Sequence, residues 1–539
     1  MRFTSENGAL VAMLVGAMAA AADACSRDGT PGACHCLGPE AIKSFASPLP
    51  PALGPVGSAT FDVGPRDGST TLVHVFNIDY STNEEGQPVM DAVIHLGDTV
   101  RWQWDSGFHT VTSVVGSSET FDSGLQFPAF TFDHTFTHTG VFTYYCALHG
   151  FDNGDGTADG MAGTVTVLAA AINAGWNLDG NGSWSTGSNW TGGTAPNGAD
   201  HVANFGTVIT SPRTVTVDSP KTLGTLNFTS PVGYQIAGSS TLTLDALGGQ
   251  VVISVSAGSH SISAPVVLNK DTTIVTASGS VIAITGNLTA TGVTLTKVGF
   301  GVAQFENVRA TELDVGEGIV VISAKATANS PAGTSVVGAL SITPGAFLDL
   351  TNNSMIIDYS DPVGTQVDDI RGNLQAHQLI SNNATGATRL GYGDNAVLGK
   401  TTFAGQPVDS SSILIKFTYA GDADLDGDAD GVDIGTWATN FTGELGGTGS
   451  MVWTQGDWDY DGDVDGVDAG LWAQAFTGEL GGNGLGDLVV SDPNISPGAA
   501  AILRGMGITV VPEPGALVFS LGFGLLGSRR CRFGRKGIR

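Results

Sequence analysis

The chain is short of basic residues: only 22 of its 539 residues are Lys or Arg, against 51 Asp or Glu, for a formal net charge of −29. So negative a body is repelled by phosphate backbones, which excludes nucleic acid as a partner. Cysteine is scarce, with 5 in the whole chain. Cys25, Cys34 and Cys36 crowd the start, Cys146 stands alone, and Cys531 lies in the tail. The "CHC" at 34–36 lacks the two-residue gap of a haem attachment, leaving it a structural or processing role. An oxidising compartment would allow a disulfide among the first three. Charged residues of either sign make up only 14% of the chain. What is plentiful is glycine, at 77 residues, and long alternations of Thr, Val and Ser. That composition favours an extended, mainly β protein over a helical enzyme, and the length calls for several domains.

Both ends carry addresses. "MRFTSENGALVAMLVGAMAAAADAC" has one early Arg, an apolar stretch and small residues before Cys25. It reads as a secretory signal over 1–24, with Cys25 just past the cut, where lipidation is an alternative fate. At the other end, 511–539 combine Pro512-Glu513-Pro514, a short apolar run at 515–527 and an Arg/Lys-rich tail. The run falls below the ~20 residues that span a bilayer comfortably, and the basic tail would hold it at the cytoplasmic face. This order resembles the PEP-CTERM sorting signal of Gram-negative bacteria. The resemblance implies transient residence in the inner membrane, processing by an exosortase, and delivery from the periplasm to the outer surface or extracellular matrix.

Between the addresses the composition changes several times. Residues 25–69 hold the early Cys cluster and a Pro/Gly linker. Over 70–168, short β-rich runs such as "DAVIHLGDTVRWQW" and "FTFDHTFTHTGVFTYYC" alternate with turn signals, as in a β-sandwich. Residues 170–416 contain no Cys and few charges, with strands such as "TLTLDALGGQVVISVSAGSHSISAPVVLNK". A stacked β-solenoid suits so many short, weakly charged strands, with a second large sandwich as the alternative. The opening "WNLDGNGSWSTGSNWTGGTAPNGADHVANFG" resembles autotransporter-like β-repeat segments of large bacterial surface proteins. His201, His260 and His377 are scattered there and read as surface or turn residues. Residues 421–482 are an internal duplication, and 483–510 a second linker.

Chemistry concentrates in two places. A mononuclear type 1 copper site needs two imidazoles and a thiolate in a plane, with a weak axial sulfur. The chain offers His109 in "GDTVRWQWDSGFHTVTS", Cys146 and His149 in "YYCALHG", and Met161 in "GMAGTVTV". A metal would hold the thiolate deprotonated, which gives a reason for one unpaired Cys in an exported protein. Zinc suits the same Cys/His set. The order of the four residues and their strand contexts resembles the plastocyanin/halocyanin/azurin group of cupredoxins. The resemblance implies a Greek-key β-sandwich, with Cys146, His149 and Met161 on one loop and one-electron transfer to a redox protein. The stretch "GFDNGDGTADG" between His149 and Met161 lengthens that loop beyond the plastocyanin-like pattern. Its charge would steer a basic redox partner. A dinuclear site would need a second Cys on the loop, and a multicopper oxidase would need His-x-His pairs; the chain has neither. An electron carrier is expected rather than an enzyme. His134 and His138 read as surface residues, and His74 and His95 as strand positions.

The second place is the duplication. "DADLDGDADGVDIGTWATNFTGELGG" returns as "DWDYDGDVDGVDAGLWAQAFTGELGG". Calcium loops present hard oxygens at alternating positions around a glycine kink. Asp422, Asp424, Asp426, Asp430 and Asp433 take those positions, with the carbonyl of Asp428. In the second copy Asp457, Asp459, Asp461, Asp465 and Asp468 do so, with the carbonyl of Asp463. Each loop leads into one short helix. The pair resembles type I dockerins, which implies two calcium ions and a cohesin-like partner contacted at Gly431-Val432 and Gly466-Val467. A calcium-stabilised spacer is the alternative. For the whole chain the expectation is a surface-displayed copper electron carrier. The competing expectation is a structural or adhesive surface protein that binds or buffers copper without a redox partner.

Overall fold

A computed structural model describes residues 69–248, 250–360, 365–443, 449–478, 489–490 and 495–511. The signal segment, the early cysteines, the Pro512-Glu513-Pro514 motif and the 515–527 run lie outside them. No described helix is long and apolar enough to cross a membrane. The protein is mainly β.

Eight strands build the first part: β1 (Thr70–Val75), β2 (Tyr80–Ser81), β3 (Ala92–His95), β4 (Thr99–Trp104), β5 (Thr112–Ser113), β6 (Thr131–Thr135), β7 (Gly140–Asp152) and β8 (Ala158–Leu168). They form two four-stranded sheets, ordered β2-β1-β4-β6 and β3-β8-β7-β5. Successive side chains on a strand point to opposite faces, and the burial follows that period. Val100, Trp102 and Trp104 on β4 are buried, as are Met161, Val165 and Val167 on β8. These rows meet in one core with Tyr80, Phe121, Phe142, Tyr144 and Cys146.

From Asn173 on, the chain winds between parallel sheets. One is a row of short strands from Gly182–Ser183 to Leu379–Ile380. The other runs from Asn173–Gly175 to Met355–Asp358. Each strand pairs in parallel with a strand one winding earlier, for example Val202–Phe205 with Thr225–Phe228, and that with Val251–Val255. Alternate residues point inward along the rungs, Val251, Ile253 and Val255 in one strand and Thr272, Ile274 and Thr276 in the next. The parallel stack ends where Ser412–Tyr419 pairs antiparallel with both Met355–Asp358 and Thr388–Asp394. His260 departs from the expected surface position. It is buried in Ser259–Ile262, where its Nδ1 accepts from the Tyr234 amide at 3.0 Å and its ring stacks on Phe228. A strand-interior imidazole satisfied by backbone groups is a core residue, and alternation alone did not reveal its face.

Helices follow: α1 (Thr365–Gln375), α2 (Asn395–Leu398), α3 (Gly431–Asn440), α4 (Gly466–Ala475) and α5 (Pro497–Gly505). The duplicated loops are not a free appendage. Their buried Trp437, Trp453, Trp458 and Trp472 belong to the same core as the wound sheets. Arg371 of α1 donates to the Met451 carbonyl at 2.8 Å, Arg389 to the Trp458 carbonyl, and Tyr460 to the Leu390 carbonyl.

Candidate metal centres

His109 sits just beyond β4, held by its backbone. Its amide and carbonyl exchange hydrogen bonds with Gln126, and the Trp104 indole donates to its carbonyl at 3.1 Å. Gly107, at φ +72°, lets the imidazole fold back, because a Cβ there would lie 2.2 Å from His109 Nε2. On β7, Cys146 points into the core and is fully buried, while His149 is exposed. The three donors converge. His109 Nδ1 lies 3.1 Å from His149 Nδ1, and Cys146 Sγ lies 3.7 Å and 3.4 Å from those two nitrogens. Metal bonds of about 2.0–2.1 Å to nitrogen and about 2.3 Å to sulfur put such donors roughly 3.3–3.8 Å apart in tetrahedral or trigonal sites. The two sulfur–nitrogen separations fall in that range and the nitrogen–nitrogen one lies slightly below it, close enough for one ion to bridge all three. His109 Nε2 is buried without a hydrogen-bond partner, and burial, helped by the His149 ring, pushes the His109 imidazole below its ordinary value. A neutral imidazole is what a metal requires. Around the sulfur, the Thr110 amide donates to Cys146 Sγ at 3.4 Å, and Thr110 Oγ1 accepts from the Ala147 amide at 2.8 Å.

The register of β7 against β8 accounts for Met161. Tyr145 pairs with Ala162, and the next pairing is Gly150 with Gly160. Cys146, Ala147, Leu148 and His149 therefore bulge opposite the single residue Met161. Met161 is buried in the same core as Cys146. The acidic insertion is not a loop leading away from the site but an extension of the hairpin, with Phe151 opposite Asp159 and Asp152 opposite Ala158. Gly160 is required beneath the bulge: at φ +83°, a Cβ would meet the His149 carbonyl at 2.5 Å. The insertion's carboxylates are engaged by amides. Asp152 accepts from Val115 and Gly154, and Asp155 accepts from Thr157. Among the described residues they join no metal-type cluster. Replacing 151–159 by a two-residue Asn-Gly turn should therefore keep copper stoichiometry and the visible spectrum unchanged. Loss of the metal would mean that the insertion, not the bulge, positions Met161.

His134 and His138 are not merely surface residues. His134 Nε2 and His138 Nδ1 reach the two oxygens of buried Glu119, at 3.0 Å and 2.9 Å, and the Thr137 and His138 amides also donate to it. Burial alone would raise the Glu119 pKa, but the bonds from His138, Thr137 and His134 outweigh it and hold the group at about 2. Nothing in the spacing of the histidines pointed to a carboxylate so far upstream. His74 lies on β1 and His95 on β3, as expected.

In the duplication, the structure gathers Asp422, Asp424 and Asp433, and again Asp428, Asp430 and Asp433. The second copy matches, with Asp457, Asp459 and Asp468, and with Asp463, Asp465 and Asp468. It does not bring Asp426 or Asp461 into these clusters; each accepts from the amide two residues on. The copies are locked reciprocally. The Trp437 indole donates to the Asp465 carbonyl at 2.8 Å, and the Trp472 indole to the Asp430 carbonyl at 3.0 Å. Asp430 and Asp465 cap α3 and α4, whose N-terminal valines, Val432 and Val467, are exposed.

So many buried carboxylates repel one another. Burial, and then neighbouring charge, push Asp433 and Asp457 up to about 8 and Asp468 to about 7. Asp428 and Asp457 each keep a buried oxygen without a hydrogen-bond partner. A hard dication fits this set. A carboxyl whose folded pKa is raised favours the folded state fully below its unfolded pKa, and that contribution is lost as pH rises through the folded value. In chelator, the melting temperature of this region should therefore fall between about pH 4 and pH 8. Excess calcium should flatten that slope; an identical slope with calcium would contradict the assignment.

No protein-family model matches the chain, and no curated protein matches it. Among solved structures, an oxidised amicyanin variant is 23% identical over 18% of this chain and 80% of its own, with a TM-score of 0.14. A reduced variant is 23% identical over 20% and 93%, at 0.15. Likeness at such scores carries no weight, and the chemistry of the site rests on its own distances.

Proposed function

We propose that this chain is an exported, surface-displayed type 1 copper protein that carries single electrons. The observation behind this reading is the convergence of His109 Nδ1, Cys146 Sγ and His149 Nδ1, with Met161 across the bulge. Copper bound there would supply a couple between Cu(I) and Cu(II). The protein's part is to hold the donors still. The Gln126 pairing and the Trp104 indole fix His109, while the Thr110 amide fixes the sulfur. Two buried donors exclude water, and exposed His149 offers an edge toward a partner. Phe108, Leu148 and Phe151, within two residues of the two histidines in the chain, and Phe127, edge-to-face with Phe108, are exposed and apolar, which suits docking of a redox protein.

In this reading the wound parallel sheets form a β-solenoid stalk, and the duplicated loops hold two calcium ions as a dockerin-like cap on its end. Exposed Val432 and Val467 suit a cohesin-like partner. Export, exosortase processing at Pro512-Glu513-Pro514 and display by a Gram-negative cell rest on the terminal motifs. The extent of the winding region favours a second reading, a structural surface protein that only buffers copper. Loading the full chain with copper and zinc in competition tests the metal. The proposal expects one copper per chain and an intense visible colour, and a colourless zinc protein would refute it.

A further inference from the structure

The two acidic loops present matching carboxylates, yet their surroundings differ. The first is met by Lys416, which projects from Ser412–Tyr419 with its side chain only 12% exposed. Its Nζ donates to the Leu425 carbonyl at 2.8 Å and stands 3.7 Å from Asp422 Oδ2. Thr418 of the same strand donates to that carboxylate. The second loop has the same internal bond, from the Gly462 amide to Asp457 Oδ2 at 3.1 Å, matching Gly427 to Asp422 at 3.0 Å. Its outer contacts are not the same. Asp457 Oδ1 is buried with no hydrogen-bond partner. The cation on that side, Arg389, is turned to the Trp458 carbonyl at 3.2 Å and lies 5.9 Å from the centre of the Tyr460 ring.

We propose that Lys416 is an internal counter-cation that makes the loops unequal calcium sites: the Asp457–Asp468 loop fills first, and the Asp422–Asp433 loop binds more weakly. This rests on the calcium reading above. An ammonium beside the first ligand of a loop repels an incoming dication and already satisfies part of the charge that the dication would neutralise. It also keeps the first loop closed on the winding region when calcium is low, so loss of calcium should open the second repeat first.

Calcium titration of the chelator-treated full chain by calorimetry tests this. Two phases are expected. Lys416→Met should tighten the weaker one about tenfold, the order of repulsion between an ammonium and a dication several ångströms apart at high dielectric. Should that variant misfold, Asp457→Asn should delete the tighter phase and Asp422→Asn the weaker. Equal affinities in the unmodified chain, an unchanged weaker phase in a folded Lys416→Met, or loss of the tighter phase in Asp422→Asn would overturn the ordering. Absence of any calcium heat would overturn the calcium reading itself.

Discussion

Cys146→Ser should abolish the visible colour of the copper-loaded chain and weaken copper binding by more than the ten- to hundredfold that losing a merely supporting partner costs. The thiolate is the single soft donor among three, and the hydroxyl that replaces it stays protonated at neutral pH. The fold should survive. Cys146 is a small buried residue bonded by the Thr110 amide and the two imidazoles, and serine occupies nearly the same volume. Circular dichroism of the apo variant should match that of the parent. If the variant kept an intense colour, the chromophore would lie elsewhere and the role given to Cys146 would fail. The same measurement on His149→Ala separates donor from scaffold. That ring is exposed, so its loss should leave apo stability unchanged and still disturb the metal.

Calcium removal should have the largest effect on stability. A ligand present at about a thousandfold over its Kd stabilises the folded state by about 4 kcal/mol for each site. Chelation should therefore expose the repeats to local opening well before the wound sheets unfold. Hydrogen exchange reads this directly. The Gly462 amide, which bonds to Asp457, should lose protection on chelation, ahead of the Asp426 and Gly427 amides, which bond to Asp422 in the loop that Lys416 holds. Amides in Val251–Val255, paired on both sides by parallel strands, should not change. Uniform loss of protection across both regions would mean that the loops govern the whole core. No loss at all would mean that calcium is not the occupant.

The side chains that converge at the candidate copper centre are visible in the amino-acid string because donor chemistry belongs to residue types. A lone Cys three residues before a His, with a second His ahead of it, is sparse enough to notice. Which acidic residues matter is harder to see. "DNGDGTAD" looks like a cation loop, yet its carboxylates bond to the backbone of their own turn and to Val115. The repeats further on look similar and do gather their carboxylates. The difference lies in which side chains the fold buries together. Met161 shows the same limit. Its distance along the chain from His149 suggests a detached ligand, and only the pairing register, set between two strands, brings it opposite the bulge. Lys416 and Glu119 were overlooked for a related reason: each acts on groups contributed by another segment. The mainly β character followed from Thr, Val and Gly usage, but the joining of the acidic repeats to the core depended on contacts of Arg371, Arg389 and Tyr460 that have no local signature.

Electron transfer through a copper held by His109, Cys146 and His149 is open to a redox titration of the copper-loaded full chain. An intense visible band should bleach on uptake of one electron per copper and return fully on reoxidation through repeated cycles. A chain that binds copper but is colourless, or that cannot be reoxidised without losing the metal, would contradict it.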